Sequence, residues 1–272
     1  MFDGILVSLL SASKVCKEAL NVTILTGDFT DLKKDYVPFG EEERSFLSDV
    51  LKKSNPDSEV AIKDVTLLIK GELALTVNLD NDYTPYCLIR TFLDLIEGMP
   101  DRVLYLDCDT VVMNDLSNFF HSDMDNADIG CVLDNRRIGF FHPTYCNAGV
   151  MLLDLTKIRL DGLMVKSREL IATKKMKHPD QDAMNKVFRK AKKIKRYKRE
   201  YNEQRKLNKT TVIRHFTPML EMLPYPHWVN GKPWAIDQVH HIYKNDEFDN
   251  ILKEYISLKK EYALANVRSY KK

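Results

Sequence analysis

The sequence predicts a single α/β domain whose mixed, mostly parallel sheet is flanked by helices. Segments with helical periodicity alternate along the chain with short apolar runs, which is the pattern of strands and connecting helices in such folds. The chain has 272 residues, of which 44% are hydrophobic and 29% charged, as in an ordinary globular domain. Because the net charge is only +2, the whole molecule lacks the strong positive field that favours nucleic-acid binding, and no nucleic-acid partner is expected.

Helices are expected first at residues 4–19 and then at 41–53, where three acidic residues in the first turn complement the helix dipole. Residues 83–96 are also expected to be helical, since Pro85 lies close enough to the start to be tolerated. Strands are expected at four apolar segments, which are 22–25, 103–106, 129–133 and 150–155.

The second half of the chain contains a basic segment at about 186–210 and a tail at about 246–272, and both are expected to be helical. In the tail, apolar residues have the spacing of an amphipathic helix that packs back on the domain. The basic segment has two interpretations. It is either a solvated face, which is usual for a run of charges, or a contact with an anionic surface such as membrane headgroups or an acceptor polymer.

The cellular location is also suggested by composition. The longest strongly apolar run, residues 5–12, is far shorter than the roughly 20 residues that span a bilayer. No basic residues precede this run and no small-residue cleavage site follows it, so a secretory signal is not expected. The five cysteines show no CxxC spacing. We therefore expect a cytoplasmic protein, with peripheral contact at the inner membrane face if the basic segment binds headgroups.

The most informative segment is LYLDCDTVV at residues 104–112, where an apolar strand ends in Asp107 and Asp109. Side chains at positions i and i+2 of an extended segment point to the same side, so both carboxylates can approach one hard cation. Ligands collect at the carboxyl ends of strands in open α/β sheets, and carboxylates suit Mg²⁺ or Mn²⁺ bound together with a diphosphate. A DxD triplet also occurs in turns, but the apolar residues on both sides favour a metal–diphosphate site.

Several further motifs, taken in chain order with this one, resemble the retaining glycosyltransferases of family 8. That family includes bacterial lipopolysaccharide galactosyl- and glucosyltransferases and glycogenin-like enzymes. The motifs are IGCVLD at 129–134, CNAGVMLLDL at 146–155, HPDQDAMN at 178–185, VIRHF at 212–216 and KPW at 232–234. The resemblance covers nearly the whole chain, so residues 1–272 are expected to form one domain. It implies a GT-A fold, the Rossmann-like fold of nucleotide-diphospho-sugar transferases.

The resemblance also implies a role for each matching residue. It places the metal, Mn²⁺ or Mg²⁺, on Asp107, Asp109 and His215, and it places the catalytic pair Asp180 and Gln181 near the transferred sugar. The donor-binding residues that it implies are Arg90, Asp134, Asn147, Ala148, Gly149 and Lys232.

Several of these residues also have ordinary structural interpretations. Asn147 and Gly149 offer an amide and a close backbone approach for sugar hydroxyls, but an ordinary loop-to-strand junction is the alternative. Arg90 suits a diphosphate or a carboxylate, but a helix salt bridge is the alternative. A lone histidine after apolar residues, such as His215, is often a core residue. Lys232 is either a phosphate ligand or a surface lysine, and it lies 17 positions after His215, farther than in the family's usual motif. The intervening residues 219–230 are either an acceptor platform for sugar stacking or a packed loop.

The DQD motif at residues 180–182 helps to decide between mechanisms of sugar transfer. If residues 180–188 form a helix, Asp180 and Asp182 lie about 200° apart around its axis, so only one of them can face the reacting sugar. Gln181 offers no strong nucleophile, and Asp180 suits hydroxyl binding or charge stabilisation. A covalent sugar–enzyme intermediate is therefore hard to assign.

The expected activity is metal-dependent transfer of glucose or galactose from a UDP-sugar to a hydroxyl of a glycan or glycolipid, with retention, in lipopolysaccharide or cell-surface glycan synthesis. One alternative is a catalytically silent module that binds a nucleotide-sugar. The other is a metal-dependent sugar nucleotidyltransferase, which usually has a glycine-rich phosphate loop that this sequence lacks.

Overall fold

The structure is a computed structural model, and it describes residues 1–73, 76–78, 85–135, 143–221, 224–242 and 246–269. The α-helices are α1 Phe2–Val15, α2 Glu41–Ser54, α3 Thr66–Leu73, α4 Ser117–Phe120, α5 Leu155–Asp161, α6 Leu163–Thr173, α7 Pro179–Lys190, α8 Ile236–His241 and α9 Asp249–Ser269. The 3₁₀ helices cover Tyr86–Phe92 and Arg199–Asn202. The strands are β1 Asn21–Thr26, β2 Glu59–Asp64, β3 Arg102–Leu106, β4 Thr110–Val112, β5 Ile129–Leu133, β6 Cys146–Asp154, β7 Ile194–Arg196, β8 Ile213–His215, β9 Met219–Glu221 and β10 His227–Val229.

The main sheet has the strand order β3, β6, β5, β7 within the described residues. The long strand β6 pairs antiparallel with both β3 and β5, while β7 pairs parallel with β5. A separate parallel pair joins β1 to β2. The α/β class and the mixed sheet agree with the prediction. The balance of directions differs, because β6 runs back against both of its neighbours and antiparallel pairs outnumber parallel ones among the described strands.

The direction of β6 brings distant parts of the chain together. Its first residues lie beside the last residues of β3 and β5, where the N–H of Asp107 donates to the Gly149 carbonyl at 2.7 Å and the N–H of Asp134 donates to the Tyr145 carbonyl at 2.9 Å. Residues that leave β3 and β5 therefore meet residues that enter β6. This end of the sheet holds the polar motifs identified in the sequence.

Two short ladders extend the same region. Strand β4 pairs antiparallel with β8, so that Thr110 lies opposite His215. The N–H of Phe216 donates to the Asp109 carbonyl at 2.9 Å, which fixes the end of β8 beside the acidic pair. Strands β9 and β10 then form an antiparallel hairpin that closes with Met219 opposite Val229.

Two of the three apolar clusters among the described residues join most of these elements. One joins β5 and β6 to the 3₁₀ helix Tyr86–Phe92 and to α5, α6 and α7. The other joins α1, α2, β1 and β2 to the C-terminal helix α9. Full burial of a large apolar side chain contributes about 1.5–3 kcal/mol, so each cluster supplies substantial stability. No helix in the described ranges is both long enough and apolar enough to span a bilayer.

The structure contains helices in two further segments where the sequence predicts them, the tail and the segment 83–96. Helix α9 lies within the expected tail, and its residues Leu252, Tyr255 and Leu258 are buried in the cluster that includes α1. Residues 270–272 lie outside the described residues. The expected helix at 83–96 is in fact a 3₁₀ helix over Tyr86–Phe92, and residues 83–84 lie outside the described residues.

The basic segment differs from the expectation of a helix at about 186–210. Helix α7 ends at Lys190, and the chain then turns through Lys192, whose φ is +58°. Pairing with β5 draws the following residues into the sheet as β7, and the 3₁₀ helix Arg199–Asn202 comes next. Sheet pairing therefore prevails over the helical pattern of the charges.

Candidate active site

Asp107, Asp109 and His215 come together where β3 ends. One oxygen or nitrogen atom from each side chain lies within 4.8 Å of the others. Nε2 of His215 is 3.1 Å from Oδ1 of Asp109 and 3.8 Å from Oδ2 of Asp107. Two carboxylates and an imidazole form a donor set that suits Mn²⁺ and related divalent ions. The antiparallel pairing of β4 with β8 is what delivers the histidine to this place.

Gly149 adjoins this group, and its lack of a side chain provides the necessary room. A Cβ at this position would lie 2.1 Å from Cε1 of His215 and 2.6 Å from Oδ2 of Asp107. Both distances are far inside van der Waals contact, so any larger residue would displace the imidazole or the carboxylate. The close approach of the Gly149 backbone to His215 and Asp107, together with the three available ligand side chains, fits a divalent cation held by Asp107, Asp109 and His215.

Lys232 adds a positive charge beside Asp109. Its Nζ is 2.6 Å from Oδ2 of Asp109, whose other oxygen faces His215. Burial acts to raise the pKa of Asp109, but the charges and hydrogen bonds of His215 and Lys232 outweigh burial and hold that pKa below its ordinary value. Asp109 is therefore ionised, as a cation ligand must be. The closed hairpin β9–β10 explains how Lys232 reaches the site despite its separation from His215 in sequence.

Arg90 is buried and binds the protein from several sides. Its Nη2 donates to Oδ1 of Asp107 at 2.8 Å and its Nη1 donates to the Ala148 carbonyl at 2.6 Å. Its Nε lies 3.1 Å from Oδ2 of Asp180. Burial raises the pKa of Asp180, and the Arg90 charge opposes that effect only in part. Arg90 thus orients two acidic side chains, and its direct contact with a donor stays a prediction.

The polar residues that follow β5 and begin α7 form the other half of the site. Oδ2 of Asp134 accepts hydrogen bonds from Nδ2 of Asn147 at 3.4 Å and from Nε2 of Gln181 at 3.0 Å. Oε1 of Gln181 accepts from the N–H of Ala148 at 2.8 Å. All of these groups are buried. Buried polar groups with satisfied partners keep a fixed orientation, so this half of the site is rigid.

The two aspartates of the DQD motif diverge, as the helical spacing predicts. Asp180 faces Arg90, whereas Asp182 accepts hydrogen bonds from the Tyr145 hydroxyl and from the N–H of His178. Asp182 therefore fastens the start of α7, and Asp180 belongs to the site.

Every site residue predicted from the sequence belongs to one connected set of hydrogen bonds and ion pairs around the start of β6. Tyr105 and Asn202 are among the members of this set that were not predicted. The Tyr105 hydroxyl donates to Oδ1 of Asp107 at 2.9 Å, and the alternation of side chains along β3 could have identified it. Asn202 lies between His215 and Asn147, and no local pattern marks it, because its position depends on pairing between distant segments.

Comparison with known proteins gives this site a context. A family model described as glycosyl transferase family 8 matches residues 2–237 of the chain. The chain belongs to glycosyl transferase family 8. This family 8 chain is 27% identical over 186 residues to a lipopolysaccharide 1,2-glucosyltransferase of Escherichia coli, a match that covers 58% of the chain and 54% of that protein. It is 33% identical over 97 residues to a lipopolysaccharide 1,2-glucosyltransferase of E. coli K12, covering 31% of the chain and 29% of that protein. The chain thus spans 54% and 29% of the length of these two relatives.

Solved structures of glycosyltransferases share the fold. The galactosyltransferase LgtC, in complex with donor and acceptor sugar analogues, superimposes with a TM-score of 0.62 at 17% identity, over 94% of the family 8 chain and 92% of LgtC. The glycosyltransferase GlyE of Streptococcus pneumoniae TIGR4 gives a TM-score of 0.59 at 19% identity, over 94% of this chain and 61% of GlyE. The predicted GT-A fold is confirmed by this likeness.

Proposed function

We propose that this family 8 protein is a retaining hexosyltransferase that moves glucose or galactose from a UDP-sugar to a hydroxyl group of a glycan or glycolipid, with Mn²⁺ or Mg²⁺ as cofactor. The observation that carries the proposal is the convergence of Asp107, Asp109 and His215, with Lys232 at their side, next to the buried polar groups of β6. Two E. coli relatives named lipopolysaccharide 1,2-glucosyltransferase support an acceptor in lipopolysaccharide or a similar cell-surface glycan. LgtC, solved with donor and acceptor sugar analogues, supports these classes of partner.

Stabilisation of the leaving group comes from the acidic side of the site. Asp107, Asp109 and His215 would hold the divalent ion, which when bound supplies Lewis-acid stabilisation of the donor diphosphate. Lys232 contributes a fixed positive charge where the departing phosphate oxygens gain negative charge. Because Asp109 already holds the ammonium in place, little reorganisation is needed when the bond to the sugar breaks.

The sugar is bound by the other half of the site. Asp134 and Asn147 offer oriented oxygen and amide groups for sugar hydroxyls, and Asp180 places an acidic group near the positive charge that develops on the sugar. Gln181 already uses its amide nitrogen and oxygen in hydrogen bonds, so it orients its neighbours and does not attack the sugar. The bond between the sugar carbon and the phosphate oxygen breaks, and the acceptor hydroxyl bonds to that carbon on the same face while its proton passes to the departing diphosphate, which gives retention.

The test is release of UDP from UDP-glucose or UDP-galactose by the purified protein. We expect release in the presence of Mn²⁺, its loss with EDTA and its return when Mn²⁺ is restored. Asp109→Asn should abolish turnover and leave the fold intact. Asp35→Asn is the matched control, because it removes the same charge from an exposed position.

Each alternative gives a different result in this assay. Release that is unchanged by EDTA would show that the metal-dependent mechanism is wrong. Binding of UDP-sugar without its consumption would indicate the silent module. Pyrophosphate release from UTP and a sugar phosphate would indicate a nucleotidyltransferase.

We further propose that the enzyme works in the cytoplasm and that its basic segment contacts the anionic inner face of the membrane. The supporting observation is that many of the basic side chains in this segment are exposed. They include Lys186, Arg189, Lys190, Lys192 and Lys198. Each lysine or arginine near an anionic bilayer contributes about 1 kcal/mol of attraction. Sedimentation with phosphatidylglycerol vesicles should exceed that with phosphatidylcholine vesicles, and equal sedimentation would contradict the contact.

A further inference from the structure

A series of buried, hydrogen-bonded amide groups joins the acidic half of the site, which is Asp107, Asp109 and His215, to its sugar-binding half, which is Asp134, Asn147 and Gln181. Asn202 is fully buried, and His215 and Asn147 are nearly so. Oδ1 of Asn202 lies 3.1 Å from Nδ1 of His215, and Nδ2 of Asn202 donates to Oδ1 of Asn147 at 2.9 Å. Asn202 therefore touches one side chain from each half of the site.

The direction of each hydrogen bond in this series is fixed by two groups, the Gly149 N–H and the Asp134 carboxylate. The backbone N–H of Gly149 can only donate, and it donates to Oδ1 of Asn147 at 3.0 Å. The amide nitrogen of Asn147 is then directed to the Asp134 carboxylate, which accepts it. Since Oδ1 of Asn147 also faces Asn202, the Asn202 group on that side must be its NH₂ donor. Its carbonyl oxygen is left facing His215.

An amide oxygen can only accept, so Nδ1 of His215 must carry the proton of this hydrogen bond. We propose that Asn202 is a positioning residue that holds His215 in the Nδ1–H form and thereby presents Nε2 to the cation held with Asp107 and Asp109. This inference rests on the proposed metal-dependent function. Nε2 is the ring nitrogen that faces both carboxylates, at 3.1 and 3.8 Å. A partner that fixes the tautomer of a ligating histidine commonly improves metal affinity.

The backbone around Asn202 is held independently of its side chain. The N–H of Val212 donates to the Glu200 carbonyl at 2.8 Å, the N–H of Glu203 donates to the Ile213 carbonyl at 2.8 Å, and the N–H of His215 donates to the Glu203 carbonyl at 2.9 Å. These bonds attach the 3₁₀ helix that ends at Asn202 to β8. Changes to the Asn202 side chain should therefore affect the tautomer before they affect the fold.

The first measurement uses the metal-free wild-type protein, so its outcome does not depend on catalysis. Long-range ¹H–¹⁵N spectra of ¹⁵N-histidine-labelled protein report which ring nitrogens carry a proton, and His215→Gln identifies the His215 signals. We expect a proton on Nδ1 of His215, either alone or together with a proton on Nε2, which faces the Asp109 carboxylate in the metal-free protein. A ring protonated on Nε2 alone would overturn the proposal, whatever the activity assay shows.

Two substitutions then separate the roles of Asn202. Asn202→Leu removes the acceptor, so the Nδ1–H preference should be lost and the Mn²⁺ dissociation constant from calorimetry should rise about 10–100-fold. Asn202→Asp keeps an acceptor for Nδ1–H but removes the donor to Asn147. It should keep the tautomer and Mn²⁺ binding and raise the KM for UDP-sugar. Asn114→Leu, at an exposed position whose amide donates to the Thr211 carbonyl, is the matched control.

The outcomes are distinguishable from failure of the proposed function. A wild-type protein that binds no Mn²⁺ would contradict the metal-dependent function, while its tautomer would still decide the assignment of Asn202. If Asn202→Leu keeps both the tautomer and the Mn²⁺ affinity, the positioning role is wrong. If that variant does not fold, Asn202→Asp decides, because loss of the Nδ1–H form in it contradicts the proposal.

Discussion

Replacement of Gly149 with alanine tests the close approach on which the site depends. The added Cβ would lie 2.1 Å from Cε1 of His215, whereas carbon atoms in contact are about 3.5–4.0 Å apart, so the ring must retreat by roughly 1.4 Å. A misplacement of about 1 Å costs on the order of 10²-fold in rate, so we expect a loss of kcat of at least that size. Overpacking of this kind costs about 1–3 kcal/mol, which lowers Tm by about 2–12 °C.

The assays are UDP release at saturating donor, Mn²⁺ titration by calorimetry and thermal unfolding. We expect Gly149→Ala to weaken Mn²⁺ binding as well as catalysis, because the displaced groups, His215 and Asp107, are the proposed ligands. Gly71→Ala is the matched control: Gly71 is exposed on α3, and a Cβ there meets nothing within 4 Å. Alanine is about 1 kcal/mol better than glycine in a helix, so the control should lose neither activity nor stability. A Gly149→Ala protein with wild-type kcat and Mn²⁺ affinity would refute the reasoning.

Three other substitutions probe separate features. Lys232→Met should lower kcat by about 10²–10³-fold. Because the substitution removes a positive charge beside Asp109, the Mn²⁺ affinity measured by calorimetry should stay the same or increase. A lower Mn²⁺ affinity would contradict the role of Lys232 at the leaving group. Trp228→Ala removes an exposed ring from the β9–β10 hairpin, so it should leave Tm and donor hydrolysis unchanged and raise the KM for the acceptor several-fold. An unchanged KM for the acceptor would favour the packed-loop interpretation of residues 219–230. Burial raises the pKa of Asp128, and the charge of Lys193 opposes this rise only in part. The stability that this carboxyl contributes is therefore greatest below its ordinary pKa, and it is lost as the pH rises through the raised pKa of the folded protein. Asp128→Asn mimics the neutral form and should raise Tm at neutral pH but not in acid; an equal change in Tm at both pH values would contradict this sign.

The parts of the site that could be predicted from the sequence are those that depend on local geometry. Asp107 and Asp109 share a side because they are two positions apart at the end of a strand, and Asp180 and Asp182 diverge because they are two positions apart on a helix. The apolar spacing of the tail similarly predicts α9. Each of these conclusions requires only the period of one element.

The remaining features depend on pairing between distant segments, which one sequence does not reveal. The antiparallel direction of β6 places Asn147 and Gly149 between the ends of β3 and β5, and nothing in the apolar run 150–155 indicates direction. Asn202 joins the site because the next residue, Glu203, pairs with β8. Lys232 reaches Asp109 through a hairpin whose closure is not marked by spacing.

The charge balance of the site explains why the nucleotide and the cation should bind together. The site contains two permanent cations, Arg90 and Lys232, and four buried or half-buried carboxylates, which are those of Asp107, Asp109, Asp134 and Asp180. With a neutral imidazole the site is therefore negative, and a diphosphate alone would be repelled, because charges in a partly buried site are weakly screened. A divalent ion offsets this negative charge and so removes the repulsion that the diphosphate would otherwise meet. Under the proposed function each ligand would therefore increase the affinity for the other, as linkage requires, and the acidic pair at the end of β3 would make donor binding as well as catalysis dependent on the metal.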